Sequence, residues 1–233
     1  MLHQGVPTEF YIRAAQVLLV YGFGVIVWRK GKRNNLRLTK LVSYFLFLMG
    51  TFWVGIDAVL YLTTTGVLPV GTEAVAAAGT GISHIFVFAS LAMLWKAITV
   101  LYRSEYEKYG NIITGWGFLV ALLGIGGALG LWSTALYSYA IPLGMVPFGI
   151  AIGVFGGRFT LKLKELSPDE AVKVGLLTAV GALLAIGGSV IGGTEPGRAL
   201  LSTLGVPLWL AETSWVVLVG AAVYWDRLKE IRW

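Results

Sequence analysis

The sequence predicts an all-α membrane domain of seven helices, and three observations predict it. First, hydrophobic residues make up 57% of the 233-residue chain and charged residues only 13%, with a mean hydropathy of +0.77. A soluble domain typically carries about 25% charged residues, so this chain has too little charge to clothe a globule of its size in polar surface. Second, apolar stretches recur, each near the roughly 20 residues a helix needs to cross a hydrocarbon core of about 30 Å. Third, all but two of the 18 Lys and Arg residues fall in four clusters between those stretches. The clusters are Arg29, Lys30, Lys32, Arg33, Arg37 and Lys40; Lys96, Arg103 and Lys108; Arg158, Lys162, Lys164 and Lys173; and Arg227, Lys229 and Arg232. Only Arg13 and Arg198 lie elsewhere. Alternate connections are therefore basic, which is how a polytopic membrane protein marks its cytoplasmic side.

The first span is expected from about Phe10 to Trp28, ending in six basic residues. Met1 to Glu9 contain an acid and no basic cluster, so no cleavable signal peptide is expected and the N-terminus is placed outside. The second span runs from about Leu41 to Thr63 and the third from about Ala74 to Leu101, long enough to tilt or project. The fourth runs from about Ile112 to Trp132 and the fifth from about Leu136 to Phe155. Gly156 to Lys173 reads as an interfacial stretch, with Ser167 as N-cap, Pro168 in the first turn, and Asp169 and Glu170 suited to a helix N-terminus. The sixth span follows from about Val172 to Gly192, the seventh from about Thr203 to Trp225, and the C-terminus is cytoplasmic. The connections at 66–73, 133–137 and 193–202 face outward. No segment is large enough for a soluble domain, so residues 1–233 form a single membrane domain in the cell membrane.

Tryptophans Trp28, Trp116 and Trp225 fall near predicted inner ends and Trp132 and Trp209 near outer ends, where indoles favour the interface. Trp53 and Trp215 sit well inside their spans. Glycines at Gly126-x3-Gly130, Gly149-x3-Gly153-x3-Gly157 and Gly188-x3-Gly192 read as ridges for close helix approach, within the bundle or against another subunit. Spans one to three and five to seven share direction, which admits a parallel repeat of three spans, one span and three spans.

Charges inside a span are expensive and therefore informative. Asp57, His84 and Glu212 qualify. At about 1.5 Å per residue, Asp57 and His84 lie roughly 24–26 Å and Glu212 roughly 20 Å above the inner ends, all in the outer half. Trp53, Asp57 and Tyr61 share a helix stripe; Thr80, Ser83 and His84 share a sector; Glu212 and Trp215 share a face. If these faces meet, they form an outer cavity able to bind a proton, a cation or a small polar solute, with His84 titratable and the aromatics able to sandwich an organic cation. The alternative is that the three groups satisfy one another and clamp helices. Glu9 and Arg13, four apart, read as a helix-surface pair. Lys96 is expected to snorkel to the interface, and Arg103, Glu105, Glu107 and Lys108 to form a solvated helix extension.

The absence of cysteine excludes disulfides and thiolate-held zinc or iron–sulfur clusters. The only histidines, His3 and His84, are far apart, which argues against bis-histidine haem, and no phosphate loop, HExxH or GxSxG motif occurs. No metal site is expected, and no cofactor is specified. The net charge of +6 reflects loops beside apolar spans rather than nucleic-acid binding. In topology alone the chain resembles microbial rhodopsins and sugar transporters of the SWEET type. The stretch from Trp209 to Trp225 lacks the lysine that a retinal Schiff base requires, and the first span lacks the proline of the sugar transporters. The expected function is a small transporter or channel-like protein. The alternatives are a non-catalytic sensor or a subunit of a membrane assembly, and an intramembrane enzyme acting on lipid or quinone through a pair such as Asp57 and His84. Expected partners are the lipid bilayer and either further copies or other membrane subunits.

Overall fold

The computed structural model describes residues 8–34, 37–64, 73–102, 104–192, 195–206 and 208–228. Among them the chain is helical throughout, without strands. The helices are α1 (Thr8–Asn34), α2 (Arg37–Thr64), α3 (Glu73–Tyr102), α4 (Gly110–Ala128), α5 (Ala135–Leu166), α6 (Pro168–Ala182), α7 (Glu195–Thr203) and α8 (Leu208–Leu228). A 3-10 segment, Ser104–Tyr109, precedes α4, and α6 continues as a π-helical stretch, Leu183–Gly192. Six spans are long and apolar enough to cross a membrane: Phe10–Arg33, Arg37–Thr63, Ala74–Val100, Glu105–Ala128, Ala135–Leu166 and Pro168–Gly188. Within α8, Thr213–Trp225 is a shorter apolar helix.

The long helices pack in chain order around a ring, each from α1 to α6 against the next, and α8 closes the ring against α6 and α1. Helix α3 also meets α5 and α6 and supplies much of the core through Val87, Phe88, Leu91, Leu94 and Ile98. Lipid is as apolar as these side chains, so tight packing and interhelical hydrogen bonds hold such a bundle together. Glycine provides the closest approach. A Cβ on Gly117 would lie 2.7 Å from Phe88 Cβ and 3.3 Å from Ile85 Cα, and one on Gly124 would lie 2.8 Å from the Ala77 carbonyl oxygen. These positions let α4 lie almost backbone to backbone on α3.

The glycine ridges read from the sequence are only partly in contact. Gly126 faces the Trp132 indole and Gly149 faces Ala185 and Ile186. A Cβ added to Gly153, Gly157 or Gly188 would meet nothing within 4 Å among the described residues, so these three do not pack against them. Gly130 ends α4 rather than packing. Its φ of 73° lets its own N–H bond the Gly127 carbonyl (3.1 Å) and the Leu131 N–H bond Gly126 (2.9 Å). This is the Schellman geometry, in which a left-handed residue satisfies the last helical carbonyls. Gly205, with φ of 65°, ends α7 in the same way through the Ser202 and Leu201 carbonyls.

Several boundaries move for the same kind of local reason. Where the seventh span is expected from Thr203, helix α8 begins at Leu208, after the Gly205 turn, and the connection expected at 193–202 contains α7. The fifth span continues unbroken to Leu166, so the expected interfacial stretch is largely its extension; 32 residues give a helix of about 48 Å. Ser167 does occupy the N-cap of α6, with Pro168 next, but its side chain makes no capping bond. The expected solvated extension after α3 is instead tied down. Trp95 Nε1 donates to the Tyr106 carbonyl (2.9 Å), and Arg37 meets Glu107 at 2.6 Å. That ion pair places the α1–α2 and α3–α4 connections at one end of the ring. Trp116, expected at an interface, donates to the Ala140 carbonyl (2.8 Å) through a gap left by Gly144.

Candidate functional site

A buried polar cluster lies at the end of the ring opposite the basic connections, near the start of α1, α3 and α8 and the end of α2. Helix α1 contributes Arg13 and Gln16, one turn apart on the same face. Arg13 is 8% exposed, and its Nη1 donates to Asp57 Oδ1 on α2 at 3.2 Å. Its guanidinium also lies over the Trp53 ring, 5.6 Å from the centroid. Trp53 and Asp57 are four apart on α2, so together they form a step on which the guanidinium rests, with a ring beneath and a carboxylate beyond. Gln16 Nε2 donates to Thr213 Oγ1 on α8 at 2.8 Å, which fastens the same face of α1 to the last helix.

Arg13, expected on the helix surface and paired with Glu9, is instead buried and bonded across to α2; the Glu9 side chain lies outside the described residues. Its neutralising role follows directly. In a low-dielectric interior an isolated carboxylate is strongly disfavoured, and a hydrogen-bonded cation offsets that penalty. The sequence did carry a signal for it, since Arg13 is one of two cations outside the basic clusters and shares its face with Gln16 in an otherwise apolar stretch.

His84 belongs to the same region through aromatic contacts. Its ring is edge-on to Phe52, centroids 5.3 Å apart, and Phe52 is edge-on to Trp53 at 5.2 Å. The series His84–Phe52–Trp53–Arg13–Asp57 is thus continuous in space. His84 Nδ1 lies 2.7 Å from the Thr80 carbonyl oxygen. A carbonyl can only accept, so Nδ1 carries the hydrogen and, in the neutral ring, Nε2 is the acceptor. Thr80 takes part through its backbone. Ser83 donates to the Gly79 carbonyl (2.8 Å) and abuts Gly55, where a Cβ would collide with the hydroxyl. These two contacts bring α2 and α3 close beside the histidine.

Of the other expected site residues, Tyr61 is 40% exposed and edge-on to Phe10 at 5.6 Å, one turn beyond Asp57. Trp215 is 2% exposed, on α8 close to the Gln16–Thr213 bond. Among the described residues the buried indole N–H groups of Trp53 and Trp215 meet no acceptor. Glu212 is on α8, but its side chain lies outside the described residues. Among the described residues no three His, Cys, Asp or Glu side chains converge as metal ligands.

The basic end differs in kind. A cavity of about 310 Å³ opens there between α1, α2, α3, α5, α6 and α8, walled largely by aliphatic side chains and edged by Lys30, Glu170 and Lys173. Comparison of the chain with family models, curated proteins and solved structures found no match.

Proposed function

We propose that this chain is a small multi-pass transporter or channel-like protein of the cell membrane, and that the Arg13–Asp57 cluster handles a proton, a cation or a small polar solute. The observation that carries this reading is the buried Arg13–Asp57 bond between α1 and α2, set at the opposite end of the ring from the cavity. In this reading α8 is the seventh span, the N-terminus is outside, and the basic connections face the cytoplasm. A closed outer end and a hollow inner end are what alternating access requires of one of its states.

The chemistry follows from competition at Asp57. A proton or cation arriving at the carboxylate displaces Arg13, whose guanidinium keeps the Trp53 face as a partner. The polar bond between α1 and α2 then opens, while the Trp53 and Tyr61 ring contacts and the Gln16 bond to α8 keep α1 in place. His84, with Nε2 as acceptor, is a further polar group of that half, and Glu212 is tested with it. Proton flux out of acid-loaded proteoliposomes, followed with an enclosed pH dye, tests the reading. Flux above empty vesicles is expected for the wild type, and it should fall at least about tenfold in Asp57→Asn, with smaller losses in His84→Ala and Glu212→Gln. Wild-type flux equal to empty vesicles, or unaltered flux in all three variants, rules it out. Orientation is checked separately on this cysteine-free chain. Ser133→Cys should react with an impermeant maleimide from outside, and Glu165→Cys only after permeabilisation.

A second reading, a subunit that docks on membrane partners or on its own copies, is favoured by one observation: a Cβ on Gly153 or Gly157 of α5 would meet nothing within 4 Å among the described residues. A native mass above one chain, reduced by Gly153→Leu, would support it.

A further inference from the structure

We infer that the cavity at the basic end binds a single-chain aliphatic anion, a monocarboxylate of medium chain length. This inference goes beyond the transport reading and stands whether or not the chain moves a solute. Six helices contribute to the wall of this partly open cavity. Its volume of about 310 Å³ falls within the range of roughly 300–1,000 Å³ usual for small-molecule sites.

The lining selects the chemistry. Val42, Leu94, Ile98, Leu177 and Val223 present only hydrocarbon, and Phe159 adds a ring. A polar solute would leave its hydrogen-bonding groups unmet against that wall. A wholly apolar molecule would make no use of the charged rim. Lys173 Nζ lies 3.0 Å from Glu170 Oε1, and among the described lining residues two ammonium groups and one carboxylate leave a net single positive charge. A monoanion matches it. The lysine ammonium is a hydrated point charge on a flexible stem, suited to a carboxylate held where water still reaches. A methylene occupies nearly the volume of a water molecule, about 30 Å³, so the cavity holds a chain of about ten carbons. Ala97 on α3 and Ala222 on α8 keep this space open, since both line it and both are buried.

The test is equilibrium binding of radiolabelled decanoate to the full chain in nanodiscs of neutral phosphatidylcholine, with empty nanodiscs subtracted and decyltrimethylammonium run in parallel. Saturable binding of one decanoate per chain is expected, with no saturable binding of the cation. Lys30→Gln combined with Lys173→Gln should raise Kd by about tenfold, the scale of losing charge-assisted hydrogen bonds. Ala97→Phe and Ala222→Leu should each abolish saturable binding. The two alter different helices, so if one fails to fold the other decides, and the rim lysines can be changed without touching the packed core. The inference is overturned by non-saturable decanoate uptake, by equal binding of the cation, or by wild-type binding in a folded cavity-filling variant. Native mass showing a retained phospholipid that excludes decanoate would also overturn it. Because no flux is measured, failure here leaves the transport reading intact, and loss of flux leaves this one intact.

Discussion

The two ends of the ring use charge in opposite ways. At the basic end Arg37 and Glu107 meet at 2.6 Å and Lys173 and Glu170 at 3.0 Å, and each pair has one well-exposed member, Arg37 at 67% and Glu170 at 51%, against 16% for Glu107 and 21% for Lys173. At the other end Arg13 and Asp57 meet at the longer distance of 3.2 Å, with side chains only 9% and 16% exposed. Distance alone would rank the buried pair last. Burial reverses the order, because water screens and replaces an exposed partner but cannot reach a buried one. The basic end can therefore devote many charges to orientation and rim chemistry with little effect on stability. At the opposite end the described buried charges, Arg13 and Asp57, are matched to each other across two helices.

The largest expected effect breaks the buried pair. Asp57→Leu or Arg13→Leu should each lower stability by about 3–5 kcal/mol, the scale for breaking a buried ion pair by removing one member. Replacing both by leucine should recover most of that loss, since an apolar pair of similar volume is often neutral or better. Thermal unfolding of the four proteins in one detergent gives the cycle. A double variant as unstable as the sum of the singles would mean that the pair is not the coupled unit described here.

Next comes the close approach of α3 and α4. Gly117→Ala should destabilise by about 1–3 kcal/mol through overpacking against Phe88 and Ile85. Gly115→Ala, where a Cβ meets nothing within 4 Å, should be neutral or mildly stabilising because alanine favours the helix. Equal melting temperatures for the two would contradict the packing. Gln16→Ala should cost about 0.6 kcal/mol, an ordinary interhelical hydrogen bond in a membrane bundle, and should increase proteolysis near the start of α8. The smallest effect belongs to the basic end, where Arg37→Ala should change stability by less than about 1 kcal/mol and by less still in high salt. A larger loss there would erase the contrast between the two ends.

These contrasts were unevenly legible in the residues. Composition and the spacing of apolar stretches identify an all-helical chain with membrane-length helices, because hydropathy is a property of each segment against its solvent. The grouping of basic residues between the stretches anticipates that the α1–α2 and α3–α4 connections share an end, which the Arg37–Glu107 pair shows. Asp57, His84, Trp53 and Trp215 stand out for the same one-dimensional reason: each is conspicuous inside an apolar run. Short-range turn chemistry was readable in part. Ser167-Pro168 marks the start of α6, whereas the roles of Gly130 and Gly205 depend on a positive φ that glycine permits but does not demand.

Only the tertiary structure decided how each helix is rotated about its axis and which helix it faces. That choice rests on pairs distant in the chain, Arg13 with Asp57 44 residues on and Gln16 with Thr213 197 residues on. Local spacing favoured Glu9 for Arg13, and only the packed ring shows the longer-range partner. The same holds for the glycines: Gly149 and Gly153 are alike in sequence, yet one meets α6's π-helical continuation and the other meets nothing among the described residues. It holds most of all for the cavity, whose wall is assembled from six helices and has no counterpart in any single stretch of the chain.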